Sequence, residues 1–224
     1  MNLPSKTRIW DLPTRLFHWC LAAAVIGLVV TGRTGGDQLM AWHFRLGYLV
    51  LALLLFRIVW GLVGGHWSRF TRFLPSPARA WRYLRGQHDP LHAGHNPVGA
   101  WSVYAMLLVL LAQAGTGLLV NDENFGLSGP LTNFVSNAKV ELATYWHTVW
   151  GQWLVIGLVA LHLVAVLFYV LVRRHTLIRP MLHGDRAAPA GTAASRDGWV
   201  SRLAALAVFC VCLGVVWWIS TRGG

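Results

Sequence analysis

The chain has 224 residues, 55% of them hydrophobic and only 12% charged, about half the charged share of an ordinary soluble domain, which excludes a soluble globule. With a mean hydropathy of +0.50 it reads as an integral membrane protein. The net charge of +11 lies beside hydrophobic runs, as membrane topology requires, and argues against nucleic acid as a partner. The three cysteines (Cys20, Cys210, Cys212) sit inside apolar runs, and no C-x-x-C-H is present, so covalent c-type haem is excluded.

In chain order, a basic start (MNLPSKTRIWDLPTRLFHW) leads into a hydrophobic run over residues 16–30. No A-x-A-like cleavage site follows, so the run is expected to be a retained first span, with Asp11 or Thr14 near its N-cap and Pro13 near N1. A second span is expected over residues 42–63, closed by Gly64-Gly65. The Arg-rich loop that follows contains Pro75-Ser76-Pro77 and then Arg79, Arg82 and Arg85 at intervals of three. That spacing predicts a short helix lying on the membrane surface among anionic headgroups. A third span is expected over residues 97–120, and a polar segment over 121–144 carries Asp122, Glu123, Lys139 and Glu141.

The fourth span is expected over residues 145–174. The small-residue stretch 184–198 (GDRAAPAGTAASRDG) reads as a flexible, solvated linker, and residues 199–219 as a fifth span. No internal repeat is expected. The fold class is therefore an all-α membrane protein, divided into a four-helix transmembrane domain (1–183), a linker (184–198) and an extra C-terminal helix (199–224). Lys6, Arg8 and Arg15, the loop arginines around 69–85 and those around 173–202 fall on one side. Only Arg33, Arg45, Lys139 and Arg222 fall on the other. This asymmetry puts the N-terminus in the cytoplasm, with the 121–144 segment and the C-terminus outside.

Of ten histidines, His66, His88, His92, His95, His175 and His183 fall in loops or at span ends, and His18, His43, His147 and His162 fall within spans. An imidazole at membrane depth is rare and usually functional. His147 and His162 share the fourth span. Their fifteen-residue separation corresponds to about 22 Å of rise and about 60° of rotation, placing them on similar sides near opposite membrane faces. By depth, His18 pairs with His162 near the inner face and His43 with His147 near the outer. Two imidazoles complete a six-coordinate haem iron suited to electron transfer, so these pairs are expected to ligate two non-covalent b haems.

Gly47 and Gly151 follow His43 and His147 at i+4, leaving a gap beside each ligand for a flat macrocycle. Haem propionates need cations, and Arg57 lies about 21 Å along the helix from His43, at the inner depth. Arg45 and Arg15 are candidates for similar parts at the outer and inner haems, with snorkelling at the interface as the alternative. Structural zinc is disfavoured because neither pair has a third ligand. The loop histidines of HDPLHAGH (His88, His92, His95) read as surface residues rather than a metal site.

Six phrases, in order and spacing, resemble the bacterial di-haem b-type cytochromes of the cytochrome b561/Ni-hydrogenase cytochrome b group. They are RIWDLPTRLFHW (8–19), WHFRLGYLVLALLLFRIVWG (42–61), FLPSPARAWRYLRG (73–86), GHNPVGAWS (94–102), QAGTGL (113–118) and WHTVWGQWLVIGLVALHLVAV (146–166). The resemblance covers roughly residues 8–180. It implies a four-helix core with two non-covalent haems, ligated here by His18, His43, His147 and His162. It also implies electron exchange between the quinone pool and a partner, often a periplasmic c-type cytochrome or a hydrogenase. Family members typically stop after four spans, so the roles open to the fifth helix are contact with a partner subunit, a homodimer interface or plain anchoring.

The expected function is that of a di-haem cytochrome b in the bacterial inner membrane, surrounded by lipid and carrying electrons between quinone and a redox partner. One rival is a self-contained superoxide:quinone-type oxidoreductase. A rival of another class is a haem-free anchor or transporter, made less attractive by the lack of paired Asp/Glu within spans.

Overall fold

The computed structural model of the chain describes residues 5–87, 93–122 and 126–223. His88, His92 and Glu123 fall outside the described residues. The elements are β1 (Ser5–Arg8), α1 (Leu12–Thr34), α2 (Asp37–Val63), α3 (Pro77–Leu84), α4 (Pro97–Gly117), β2 (Asn121–Asp122), β3 (Leu127–Ser128), α5 (Asn137–Tyr145), α6 (Gln152–Leu167), α7 (Ile178–His183), β4 (Asp185–Ala188) and α8 (Trp199–Ser220). A wide π-helical turn, Trp146–Gly151, joins α5 to α6, and another, Phe168–Val172, ends α6. Five segments are long and apolar enough to cross a membrane: Leu12–Thr34, Asp37–Val63, Pro97–Gly117, Asn137–Val172 and Trp199–Ser220.

The spans agree with the hydropathy reading in number and differ at their ends. The fourth begins at Asn137, inside the segment expected to be polar, because Val140, Leu142 and Ala143 carry the helix back to that point. The third stops at Gly117 rather than near 120. There the chain reverses: Leu131 N–H donates to Leu118 O and Gly129 N–H to Val120 O. The β2–β3 ladder then pairs Asn121 with Ser128 and Asp122 with Leu127. The Arg-rich stretch does form a helix, α3, capped by the Ser76 hydroxyl, which accepts from Arg79 N–H.

Contacts group the residues into two units. The first comprises Met1–Phe17, Arg57–Ala105 and Leu161–Val208. Its centre is Asp11, which is 0% exposed. Asp11 Oδ1 accepts Thr14 N–H (2.9 Å) and so caps α1. Its Oδ2 accepts from Gly65 N–H (3.0 Å), Ser68 Oγ–H (2.9 Å) and Trp60 Nε1–H (3.2 Å). Of the two candidate caps it is Asp11 that serves; the Thr14 hydroxyl instead meets Ser68 Oγ at 2.7 Å. A side chain at Gly65 would collide with Asp11 Oδ2, so glycine there lets the loop after α2 reach the carboxylate.

Residues 184–198 correct the expectation of a solvated linker. Strand β4 pairs antiparallel with β1, Ser5 opposite Ala188 and Arg8 opposite Asp185. Arg8 bridges Asp185 and Asp197, each at 2.7 Å. Asp197 Oδ1 accepts Leu12 N–H (3.0 Å), and its carboxylate also meets Arg202 (3.2 Å). Ser195 Oγ–H donates to Ile9 O at 2.6 Å. Gly184 turns the chain at φ +92°, where a side chain would meet Trp10 O. Small residues here permit close packing as well as flexibility, and composition alone does not separate the two.

The second unit comprises His18–Phe56, Met106–Ala160 and Phe209–Gly224. Its core joins Ala24 and Val25 of α1, Val50 and Leu54 of α2 and Val155 of α6, with Leu107, Leu110 and Leu111 of α4 against them. The end of α8 belongs here as well: Val216 packs on Leu51 and Ala52, and Phe209 meets Phe56 edge-on at 5.9 Å.

Asp11→Ala is expected to cost about 3 kcal/mol, because four buried donors lose their acceptor at once. The loss is read as a lower unfolding midpoint in detergent. At Asp197, burial pushes the carboxyl pKa up, but the Leu12 N–H, Arg202 and Arg8 pull harder and leave it below its ordinary value. Its stabilisation is therefore present above the unfolded carboxyl pKa, about 3.9, and is lost as pH falls through the lower folded value. Asp197→Asn should lower the midpoint at pH 7 and shrink the difference between wild type and variant in strong acid.

Candidate functional site

The second unit brings His43 and His147 together, with ring centroids 6.1 Å apart and ring planes at 86°. Each ring is held from behind by a neighbouring helix. The His43 Nδ1 lies 3.1 Å from Thr31 Oγ1 of α1. That hydroxyl gives its one hydrogen to Gly27 O (2.8 Å), so it accepts from Nδ1–H. The Leu28 carbonyl also interacts with the His43 ring. The His147 Nδ1 lies 2.9 Å from Gln113 O of α4, an atom that only accepts, so here too Nδ1 carries the hydrogen.

A neutral imidazole protonated at Nδ1 keeps its lone pair at Nε2, the tautomer that ligates a metal. The His43–His147 pair is thus two ligand-competent imidazoles side by side in an apolar bundle. Glycines let them sit there. A Cβ at Gly32 would lie 2.9 Å from His43 Cε1, and one at Gly117 would lie 2.9 Å from His147 Cε1. Each ring edge therefore rests on a bare helix backbone.

Thr31-Gly32 and Thr116-Gly117 are the residues that sequence reading missed. A signal was available: a Thr-Gly pair lies in the last turn of both α1 and α4, and Trp-His-x-x-x-Gly occurs both in α2 (42–47) and at the α5–α6 junction (146–151). Both threonines bond back to the carbonyl four residues earlier, Thr31 to Gly27 O and Thr116 to Ala112 O, each at 2.8 Å. The two sites share the glycine beside the ring but differ in the group that holds Nδ1, the Thr31 hydroxyl for His43 and the Gln113 carbonyl for His147.

The other expected residues divide. Gly47 has nothing within 4 Å of a would-be Cβ and borders open space. Gly151 does not: a side chain there would collide with Gln113 Oε1, so the gap expected beside His147 is filled by the amide of α4. His18, half-buried in α1, meets Trp19 edge-on at 5.0 Å and belongs to the second unit; His162, half-buried in α6, belongs to the first.

Arg57 is 3% exposed, with its guanidinium 4.6 Å from the Phe70 ring centre and 5.9 Å from that of Phe73. Its Nη1 is buried without a hydrogen-bond partner. Arg45 is exposed and lies over Trp42 of its own helix at 5.2 Å, an interfacial arrangement rather than a buried one. Arg15 meets Leu182 O at 2.6 Å and Asp197 at 3.9 Å, and its Nε is buried without a hydrogen-bond partner.

Five apolar spans and a pair of half-buried imidazoles held by neighbouring helices define the class: a helical membrane protein with histidines at membrane depth. The chain belongs to the prokaryotic cytochrome b561 family, whose profile matches residues 9–184. Among similar proteins, the probable Ni/Fe-hydrogenase B-type cytochrome subunits of Rhizobium leguminosarum bv. viciae and Azotobacter vinelandii are 24% and 27% identical, each over 80% of this chain and 87% of the relative. The probable Ni/Fe-hydrogenase 1 B-type cytochrome subunit of Escherichia coli (strain K12) is 23% identical over 84% of this chain and 94% of its own length. As a b-type cytochrome the chain uses haem b and serves electron transfer in a membrane. Helix α8 lies beyond the matched residues.

Gly117→Val should drive the His147 ring from its seat and cut the haem b retained by purified protein, with Gly117→Ala intermediate. Gly32→Val should do the same through His43. The ratio of Soret to protein absorbance measures both.

Proposed function

We propose that this protein is a di-haem cytochrome b that carries electrons between the quinone pool and a redox partner. One haem b is ligated by His43 and His147, and a second by His18 and His162. The observation that carries the reading is the His43–His147 pair with both Nδ1 hydrogens committed. A first-row metal–imidazole bond is about 2 Å and the ring centre lies roughly 1 Å beyond the nitrogen, so two rings on opposite sides of one iron have centroids about 6 Å apart. The observed 6.1 Å fits that spacing. Among the described residues no group of three or more His, Cys, Asp or Glu gathers to hold a bare ion. A pair of imidazoles therefore suits an iron that brings its own equatorial ligands.

The second pair rests on the depth matching of residues 18 and 162 and on the family resemblance. When bound, the haems supply reversible one-electron chemistry; the chain supplies the ligands, charge and dry surroundings. Arg57 and Arg15 each keep a buried N–H without a partner, but Arg15 already meets Leu182 O and Asp197 and Arg45 is exposed, so Arg57 fits a propionate carboxylate best. Open space at Gly47 fits the edge of a macrocycle. By analogy with its relatives the partner is a hydrogenase, with a periplasmic c-type cytochrome as the other candidate. The membrane is the bacterial inner membrane, with the N-terminus cytoplasmic and the C-terminus periplasmic by the distribution of Lys and Arg.

A pyridine haemochrome assay should give about two haems per chain. His147→Ala should retain one, with the bundle folded; no haem in the wild type would remove the proposal. Arg57→Leu should lower one midpoint potential, because a nearby cation disfavours the oxidised, more positive iron. Redox titration checks this, and an unchanged potential would separate Arg57 from the haem.

A further inference from the structure

The surroundings of the two histidines in the second unit share a Thr-Gly pair and a Trp-His-x-x-x-Gly stretch, and differ in a way that matters chemically. Three residues before each Thr stands Leu28 in α1 and Gln113 in α4. Leu28 offers only its backbone carbonyl to this region, whereas Gln113 offers three groups. Its backbone O accepts His147 Nδ1–H (2.9 Å), and its Nε2–H donates to His147 O (2.9 Å). Its Oε1 lies buried over Gly151 with no hydrogen-bond partner. His147 is thus gripped at both ring and backbone by a single residue of another helix.

The backbone that Gln113 grips is irregular. His147 lies in the π-helical turn Trp146–Gly151, one residue wider than an α-turn. Within that turn Gln113 Nε2–H adds a donor to the His147 carbonyl from another helix. Gly151, without a side chain, leaves room for the amide to enter. On the other half, α2 runs through His43 as ordinary α-helix and Gly47 is uncovered.

We infer that Gln113 is a positioning residue: by holding both the ring and the carbonyl of His147 in its π-turn it fixes the orientation of His147, the one ligand of its pair that depends on a side-chain amide. The inference rests on the reading of His147 as a haem ligand. It separates the two sides of that haem, His43 being set by a Thr hydroxyl and a regular helix, His147 by an amide and a wide turn. Loosening the amide should weaken the His147 bond to iron while leaving His43 in place.

The test is carbon monoxide binding to the dithionite-reduced, detergent-purified full chain, with redox titration alongside. A six-coordinate bis-histidine haem has no open position, so the wild type should not bind carbon monoxide. Gln113→Leu, which copies Leu28, should retain its haem, gain about one carbon monoxide-reactive haem per chain and shift one midpoint potential while the other stays. Gln113→Asn keeps the amide but falls one methylene short of His147 O. It should show the same changes in weaker form, and it decides the matter if Gln113→Leu loses haem altogether. A Gln113→Asn protein that is inert to carbon monoxide with both potentials unchanged would overturn the inference, as would a Gln113→Leu protein that behaves so. His147→Ala distinguishes the parent reading: if it keeps the full wild-type haem content, His147 is no ligand, whatever the Gln113 variants do.

Discussion

An imidazole inside an apolar bundle is a usable ligand only when one ring nitrogen is anchored and the other left bare. Left to itself, the ring can put its hydrogen on either nitrogen and turn about its side-chain bonds. In this protein the anchors are a hydroxyl and a carbonyl, Thr31 Oγ1 and Gln113 O, at 3.1 and 2.9 Å from the two Nδ1 atoms. Neither belongs to the helix that carries the histidine it serves. The placement of the two histidines depends on α1 and α4 as much as on their own helices.

The helices must also approach closely enough for such bonds. Gly32 and Gly117 do this, since the ring edges occupy space a side chain would need. Between lipid tails there is little hydrophobic gain in bringing helices together, so close contact and hydrogen bonding carry more of the association. In α1 the Thr-Gly pair supplies both at once: Thr31 bonds its own helix and turns a lone pair to His43, and Gly32 admits the ring. At α4 the glycine admits the His147 ring in the same way, but the bond to the ring comes from the Gln113 carbonyl.

In the first unit the organising groups are carboxylates. Asp11 and Asp197 both serve the start of α1, one through Thr14 N–H and one through Leu12 N–H, where orphan N–H groups and the helix dipole favour negative charge. Asp11 ties that end to the loop after α2, while Asp197 ties it to β1 and the foot of α8 through Arg8 and Arg202. Helix α8 lies outside the family match, yet the segment leading to it is stitched to the first strand.

The amino-acid sequence by itself determined five spans, the membrane setting and the four histidines within spans, because hydropathy and the rarity of imidazole at depth are local properties. It also marked α3, through its proline entry and arginine spacing. It misplaced the ends of the third and fourth spans, where Gly129 and Ser136 shape turns that average hydropathy does not sense. It misread residues 184–198, since small residues serve a packed strand as readily as a free linker. What only the tertiary structure decided was the acceptor for each Nδ1 and the fate of each glycine. Gln113 and His147 are 34 residues apart in sequence, and nothing local to either says they meet. The tautomer of a buried histidine is set by whatever acceptor the fold brings to it, and that is a property of packed helices rather than of any one stretch of chain.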